Sequence, residues 1–239
     1  MAWTPWVILG AWLFWSAVCR NLARGQPRRD PGIGEEALLA LAAGFNRAYV
    51  RLLHRVRYVG AEHAPRGRDA GPLIVVVNHT AGVDPLLVQA ALDFEVRWMM
   101  AKDMRLPALD PVWRLLRIIG VERNLRGDRP RDSRSLREAL AHLREGGVVG
   151  VFPEGRIERP RGALLRFHEG VGLLAGLSGA PVLPVLVQGT PDARTAWGSL
   201  VRPSRSVVTF GRLMDGWTRD AAENTARIRR WFEEQLAAA

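Results

Sequence analysis

A histidine and an aspartate follow a strongly apolar run, and they are the clearest candidates for chemistry in this sequence. Residues 78–85 are NHTAGVDP. On an uninterrupted helix, the side chains of His79 and Asp84 would point about 140° apart, because each residue turns the helix by about 100°. Gly82 and Pro85 instead predict a turn followed by a helix, which lets the carboxylate fold back onto the imidazole. A carboxylate in that place fixes the tautomer of the imidazole and stabilises it when it takes up a proton.

The same residues also allow a structural interpretation, with Asp84 capping a helix and His79 lying in a loop. A second candidate loop follows the apolar residues 148–152 and begins Pro153-Glu154-Gly155-Arg156. Proline fixes one backbone dihedral and glycine frees another, so this tight turn can present a carboxylate, a guanidinium and backbone N–H groups. The amides and the arginine suit a phosphate, and the carboxylate suits a hydroxyl. Taken alone, Pro-Glu-Gly is more often an ordinary turn than a binding site.

The elements around these loops alternate between strand and helix. Short apolar runs predict strands over residues 73–77, 96–100, 148–152 and 182–187, and helical periods separate them, over residues 85–92, 111–119, 133–143, 170–177 and 219–239. This order predicts an α/β fold with a mixed, largely parallel sheet flanked by helices. In such sheets ligands bind beyond the carboxyl ends of the strands, where both loops begin.

The N-terminal part differs from the rest in its apolar and basic character. Residues 2–19 carry no charge and contain four of the nine tryptophans. As a helix this run would be about 27 Å long, which suits either a marginal membrane span or an anchor lying in the interface. The arginines that follow place this flank on the cytoplasmic side, and residues 37–53 predict an amphipathic helix whose arginines face lipid phosphates or water. We therefore expect a membrane-associated helical pair in residues 1–56 and a separate domain over residues 57–239.

The net charge of +10 indicates an anionic partner: nucleic acid, a membrane surface or a phosphorylated substrate. All but one of the 34 basic residues are arginine. No aromatic platform accompanies the arginine clusters, and the sequence has no helix-turn-helix or zinc-finger pattern, which argues against nucleic acid. No group of histidine, cysteine and acidic residues has the spacing of a metal site, so no metal is expected.

Taken together, the motifs resemble those of the 1-acylglycerol-3-phosphate acyltransferases, a family of glycerophospholipid acyltransferases. Asn78, His79 and Asp84 match the family pattern N-H-x-x-x-x-D, and residues 152–155 match F-P-E-G. Residues 182–185 match V-x-P-V, and residues 121–123 resemble a short strand ending in arginine, although the glycine usual some six positions earlier is absent. The resemblance covers roughly residues 56–210.

The resemblance implies a reaction and a set of site residues. His79 is the general base on the free hydroxyl of a lysophospholipid, Asp84 orients it, and the hydroxyl attacks the thioester of acyl-CoA or acyl carrier protein, a co-substrate, with no further cofactor. The implied substrate-binding residues are Asn78, Arg123, Glu154, Gly155, Arg156 and Pro184. Of these, Arg123 is expected to hold the acceptor phosphate, and Pro184 to set a strand end beside the acyl groove.

The acceptor that the resemblance favours is 1-acylglycerol-3-phosphate, which would give phosphatidic acid. Many members continue F-P-E-G with T-R-S, whereas here Arg156 and Ile157 follow Gly155. That departure keeps open a lysolipid with a larger head group, such as lysophosphatidylethanolamine, beside glycerol-3-phosphate. The expected location is the cytoplasmic face of the inner or plasma membrane.

Overall fold

The computed structural model describes residues 33–67, 70–105, 109–122, 133–158 and 162–238. The strands of its central sheet are β1 Arg57–Val59, β2 Leu73–Val77, β3 Arg97–Ala101, β4 Ile119–Val121, β5 Val148–Val151, β6 Val182–Gln188 and β7 Val207–Phe210. The helices are α1 Ile33–Leu53, α2 Asp84–Gln89, α3 Asp110–Leu115, α4 Ser133–Arg144, α5 Gly170–Ser178 and α6 Ala221–Ala237.

The sheet confirms the predicted α/β architecture. Its seven strands lie in the order β1-β7-β6-β2-β5-β3-β4. Strands β6, β2, β5, β3 and β4 are mutually parallel, whereas β7 runs antiparallel to β6 and pairs in parallel with β1. Because β5 and β6 flank β2, the loop that carries His79 leaves the middle of the sheet, next to the loop that follows β5.

Strand β2 is buried along its whole length, and its side chains alternate between two cores. Leu73, Val75 and Val77 pack with residues of α1 and α2 on one face. Ile74 and Val76 pack with residues of α4, α5 and α6 on the other face. Burial on both faces explains why this strand is a continuous apolar run rather than an alternating one.

Several predicted boundaries are wrong in detail. The helix predicted over residues 111–119 ends at Leu115, because Arg117 adopts a positive φ of 45° and β4 begins at Ile119. Strands β1 and β7 were not predicted, since three or four residues are too few to show a clear period.

The N-terminal predictions are only partly covered by the structure. The predicted helix over residues 2–19 lies outside the described residues. Helix α1 agrees with the predicted amphipathic helix over residues 37–53 and starts earlier, at Ile33. Within the described ranges, no helix combines the length and the apolar character that a bilayer crossing requires.

Candidate functional site

His79 and Asp84 form a hydrogen-bonded pair just beyond the carboxyl end of β2. The Nδ1 atom of His79 lies 3.0 Å from Oδ2 of Asp84. The turn predicted from Gly82 and Pro85 produces this contact, since Asp84 is the first residue of α2 and Pro85 follows it inside the first turn. The Asp84 side chain is 0% exposed, whereas that of His79 is 20% exposed. The imidazole therefore has one nitrogen committed to the carboxylate, and part of its surface faces solvent.

The carboxylate of Asp84 accepts several further hydrogen bonds that fix its position. The backbone N–H groups of Thr80 and Ala81 donate to Oδ2 at 2.7 and 2.8 Å, and the Thr80 hydroxyl donates to Oδ1 at 3.0 Å. The hydroxyl of Thr190 donates to that of Thr80 at 2.9 Å. Bonds from fixed N–H groups stabilise an ionised carboxylate, which is the form that can support a protonated imidazole.

Gly82 allows the backbone at Ala196 to pack closely against this loop. A Cβ atom at position 82 would lie 2.4 Å from the backbone oxygen of Ala196. Backbone cannot move aside as a flexible side chain can, so any larger residue here would displace the loop that brings His79 to Asp84.

Glu154 reaches the same loop from the turn after β5. Its Oε1 accepts the backbone N–H of His79 at 2.9 Å, and its Oε2 accepts the backbone N–H of Leu165 at 3.0 Å. The residue is buried, and burial raises the pKa of its carboxyl to about 7, against the opposing effect of the two N–H groups. From the sequence, Glu154 is expected to bind substrate, and this contact stays a prediction. The described contacts place it between the backbone of His79 and the segment around residue 165.

Glu158 is a third buried acid at this edge, after Asp84 and Glu154, and it is not among the predicted site residues. Its backbone N–H donates to the carbonyl oxygen of His79 at 2.7 Å, and its Oε1 accepts from Nδ2 of Asn78 at 3.3 Å. Burial is the main cause that raises the pKa of Glu158. The only sequence signal was an acid four residues after Glu154.

Asn78 ties β2 to β6. Its Oδ1 accepts the backbone N–H of Val187 at 2.7 Å, and its Nδ2 donates to the Val187 carbonyl at 3.1 Å. The residue is 2% exposed. Its predicted contact with substrate stays a prediction, and its described bonds hold the strand end from which His79 projects.

The turn after Glu154 presents its next two residues to solvent. Gly155 has a φ of +67°, which favours glycine, and a Cβ there would lie 3.2 Å from the ring of His168. Arg156 is exposed beside it. The exposure of the Arg156 guanidinium allows it to bind an anion. The substrate contacts of Gly155 and Arg156 stay predictions.

The imidazole of His79 rests on an aromatic stack. Its ring centroid lies 4.3 Å from that of Phe152, and Phe152 stacks on Trp98 at 5.3 Å. These rings restrict the rotation of the imidazole and give the site an apolar side.

One predicted site residue, Pro184, stands apart from this group, and another is not among the described residues. Pro184 is buried inside β6, in register with Val76 of β2, and its carbonyl accepts the N–H of Gly211 at 2.8 Å. It thus lies in the strand interior rather than at the carboxyl edge. Arg123 lies outside the described residues. Within the described part of the chain, no three His, Cys, Asp or Glu side chains are grouped as metal ligands.

Comparisons with known proteins agree with this geometry. A protein-family model described as acyltransferase matches residues 55–188. The 1-acyl-sn-glycerol-3-phosphate acyltransferase of Borreliella burgdorferi is 30% identical over 148 residues, which are 57% of this chain and 52% of that protein. The chain thus matches about half the length of this curated relative.

Among solved structures, the 1-acyl-sn-glycerophosphate (LPA) acyltransferase PlsC from Thermotoga maritima superposes with a TM-score of 0.76. The match covers 98% of this chain and 92% of that one at 24% sequence identity. A likeness at this identity shows a shared fold.

Proposed function

The chain belongs to the acyltransferase family, whose model matches residues 55–188, and we propose that it acylates the free hydroxyl of 1-acylglycerol-3-phosphate at a membrane surface. The donor is the thioester of acyl-CoA or acyl carrier protein, and the product is phosphatidic acid. The observation that carries this proposal is the His79–Asp84 pair at the carboxyl edge of the sheet.

The proposed chemistry starts from the free nitrogen of His79. Nδ1 donates to Asp84, and Nε2 has no hydrogen-bond partner among the described residues. As the acceptor oxygen attacks the thioester carbonyl, Nε2 takes the hydroxyl proton, and it returns that proton to the departing thiolate when the tetrahedral intermediate collapses. Positioned proton transfer of this kind accelerates a reaction by about 10²- to 10⁴-fold.

Asp84 supports the positive charge that forms on His79 during transfer. Its carboxylate is buried and held by three further donors, so it need not reorient during the reaction. Preorganised groups of this kind stabilise developing charge without a reorganisation cost.

The phosphate of the acceptor is expected to lie over the turn after β5. Gly155 and Arg156 are exposed there, next to the segment that bonds to Glu154. Arg123, which follows β4, is the second expected phosphate ligand.

Helix α1 supports the membrane part of the proposal. Leu41 and Leu52 on this helix are 65% and 78% exposed. Arg51 and Arg55 are exposed near its C-terminal end. Apolar side chains beside arginines suit an anionic lipid surface, and the uncharged residues 2–19 precede them in the chain.

The experiment is an acceptor panel in phospholipid vesicles that contain the full chain. Acyl-CoA and acyl carrier protein are each offered with lysophosphatidic acid, lysophosphatidylethanolamine, glycerol-3-phosphate or no acceptor. We expect thiol release and labelled phosphatidic acid in equal amounts, with lysophosphatidic acid preferred. Release that needs no acceptor would identify a thioesterase instead, and a preference for lysophosphatidylethanolamine would reassign the head group.

A further inference from the structure

Glu158 is a buried carboxylate, outside the matched motifs, that contacts the loop of His79 in two ways. Its backbone N–H holds the carbonyl of His79, and its side chain accepts from Asn78, the residue before His79. The residue is 2% exposed. A carboxylate at this depth costs free energy unless its hydrogen bonds compensate, so the side chain is not explained by core packing.

The same side chain reaches the segment that returns toward α5. Its Oε2 accepts the backbone N–H of Gly162 at 3.0 Å. Glu154 makes a parallel connection, since it joins the His79 N–H to the Leu165 N–H. The backbone of His79 is thus held on both sides, at its N–H by Glu154 and at its carbonyl by Glu158.

Asn78 transmits the contact with Glu158 to the rest of the sheet. Its amide exchanges two hydrogen bonds with Val187 on β6, and its Nδ2 also donates to Glu158. A rotation of the Asn78 side chain would break bonds to β6 and shift the strand end that carries His79.

We propose that Glu158 is a positioning residue for acyl transfer: through Asn78 and the His79 carbonyl it holds the imidazole at the angle needed to reach the acceptor hydroxyl. The inference rests on the proposed function, because its effect is measured through acyl transfer. A displacement of a catalytic group by about 1 Å can cost about 100-fold in rate. Loss of one tether should cost less.

The first test replaces the carboxylate by its isosteric amide. Glu158→Gln keeps the shape and the backbone N–H, but it can accept from only one of its two described partners. We expect kcat to fall about tenfold, with the KM for lysophosphatidic acid nearly unchanged, because His79 is displaced and the phosphate site is not. The matched control is Glu169→Gln, an exposed glutamate just before α5. An unchanged kcat in Glu158→Gln would overturn the proposal.

The second test reverses the hydrogen bond. Asn78→Asp alone places a carboxylate against the carboxylate of Glu158, so this variant should be less active than Glu158→Gln. Adding Glu158→Gln lets an amide at 158 donate to the carboxylate at 78, and the double variant should recover several-fold in kcat over Asn78→Asp. A purely structural role at 158, independent of Asn78, predicts a further loss instead, and that result would contradict the proposal.

Two measurements separate this inference from the proposed function. Wild-type transfer that disappears in His79→Ala establishes the reaction before Glu158 is judged, whereas a wild type without transfer refutes the reaction itself. Hydrogen exchange of the amides at 79 and 162 should accelerate in Glu158→Gln whatever the substrate, and unchanged exchange counts against the tether. If Glu158→Gln does not fold, Glu158→Asp, one methylene shorter, takes its place and must also lower kcat.

Discussion

Two loops meet at the carboxyl edge of the sheet, and each sends a buried carboxylate to His79. Asp84, in the loop after β2, contacts the imidazole itself and accepts from three other donors. Glu154, in the turn after β5, bonds to the backbone N–H of His79 and not to its imidazole, and its other oxygen accepts from Leu165. The difference separates two tasks in the proposed reaction. The first loop would carry the proton chemistry, and the second contacts the backbone of that loop while it presents Gly155 and Arg156 to solvent.

The largest effect is expected from His79→Ala in the first loop. Removal of the base should lower kcat by about 10²- to 10⁴-fold, while binding of the lysolipid changes little. The measurement is acceptor-dependent thiol release. His63→Ala, a histidine in the short helical turn after β1, is the control and should keep wild-type activity. If the activity of His79→Ala stayed within tenfold of wild type, the proton would have to pass through another group.

Asp84→Asn should be the next most damaging change. An amide keeps the shape, but its N–H₂ group cannot accept from Nδ1, so the imidazole loses its preferred tautomer and its support when charged. We expect kcat to fall by about 10²-fold or more, as when the aspartate that orients a catalytic histidine is replaced by asparagine. Asp93→Asn, at an exposed aspartate after α2, serves as the comparison. Equal activities of the two Asn variants would argue against a role for Asp84 in proton transfer.

In the second loop, Arg156→Ala should act on binding rather than on proton transfer. The guanidinium is exposed on the turn, so its loss should raise the KM for lysophosphatidic acid several-fold and leave kcat nearly intact, as expected when one charge-assisted contact is removed. Arg144→Ala, at the last residue of α4, is the control for the loss of one positive surface charge. A fall in kcat at constant KM would place Arg156 with the first loop instead.

The smallest effect concerns stability and its dependence on pH. Burial raises the pKa of Glu154 from its ordinary value of 4.5 to about 7 in the folded state. Between these values the folded protein binds more protons than the unfolded chain, so this residue stabilises the fold fully below about pH 4.5 and loses that contribution as the pH rises through about 7. Glu154→Gln has no carboxyl group at this position, so its stability lacks this contribution to the pH dependence.

As the pH is raised from 4.5 to 8, the Tm of wild type should therefore fall relative to that of Glu154→Gln. The expected shift is about 2–4 °C for each kcal/mol of unfolding free energy that wild type loses. Glu169→Gln, at an exposed glutamate, is measured in parallel as the control for the loss of one surface charge. A difference that is flat across this pH range would mean that Glu154 titrates near its ordinary pKa.

The sequence predicts the first loop far better than the second. The contact between His79 and Asp84 depends on a local turn, and Gly82 and Pro85 predict that turn from within the same eight residues. The bonds of Glu154 and Glu158 to His79 join residues 75 and 79 positions apart, and they follow from the pairing of β2 with β5. Spacing alone cannot supply that register, so the sequence does not predict the bonds of either glutamate to His79. The substrate contact expected of Glu154 stays a prediction.

In the proposed reaction His79 and Asp84 act as one unit, and the double variant His79→Ala/Asp84→Asn tests this coupling. Once the imidazole is absent, the carboxylate has no proton acceptor to orient or stabilise, so we expect the double variant to transfer acyl groups as slowly as His79→Ala alone. The measurement is the single-turnover rate of phosphatidic acid formation for wild type, both single variants and the double variant. Losses that multiply, with the double variant slower by the full factor of Asp84→Asn, would contradict it.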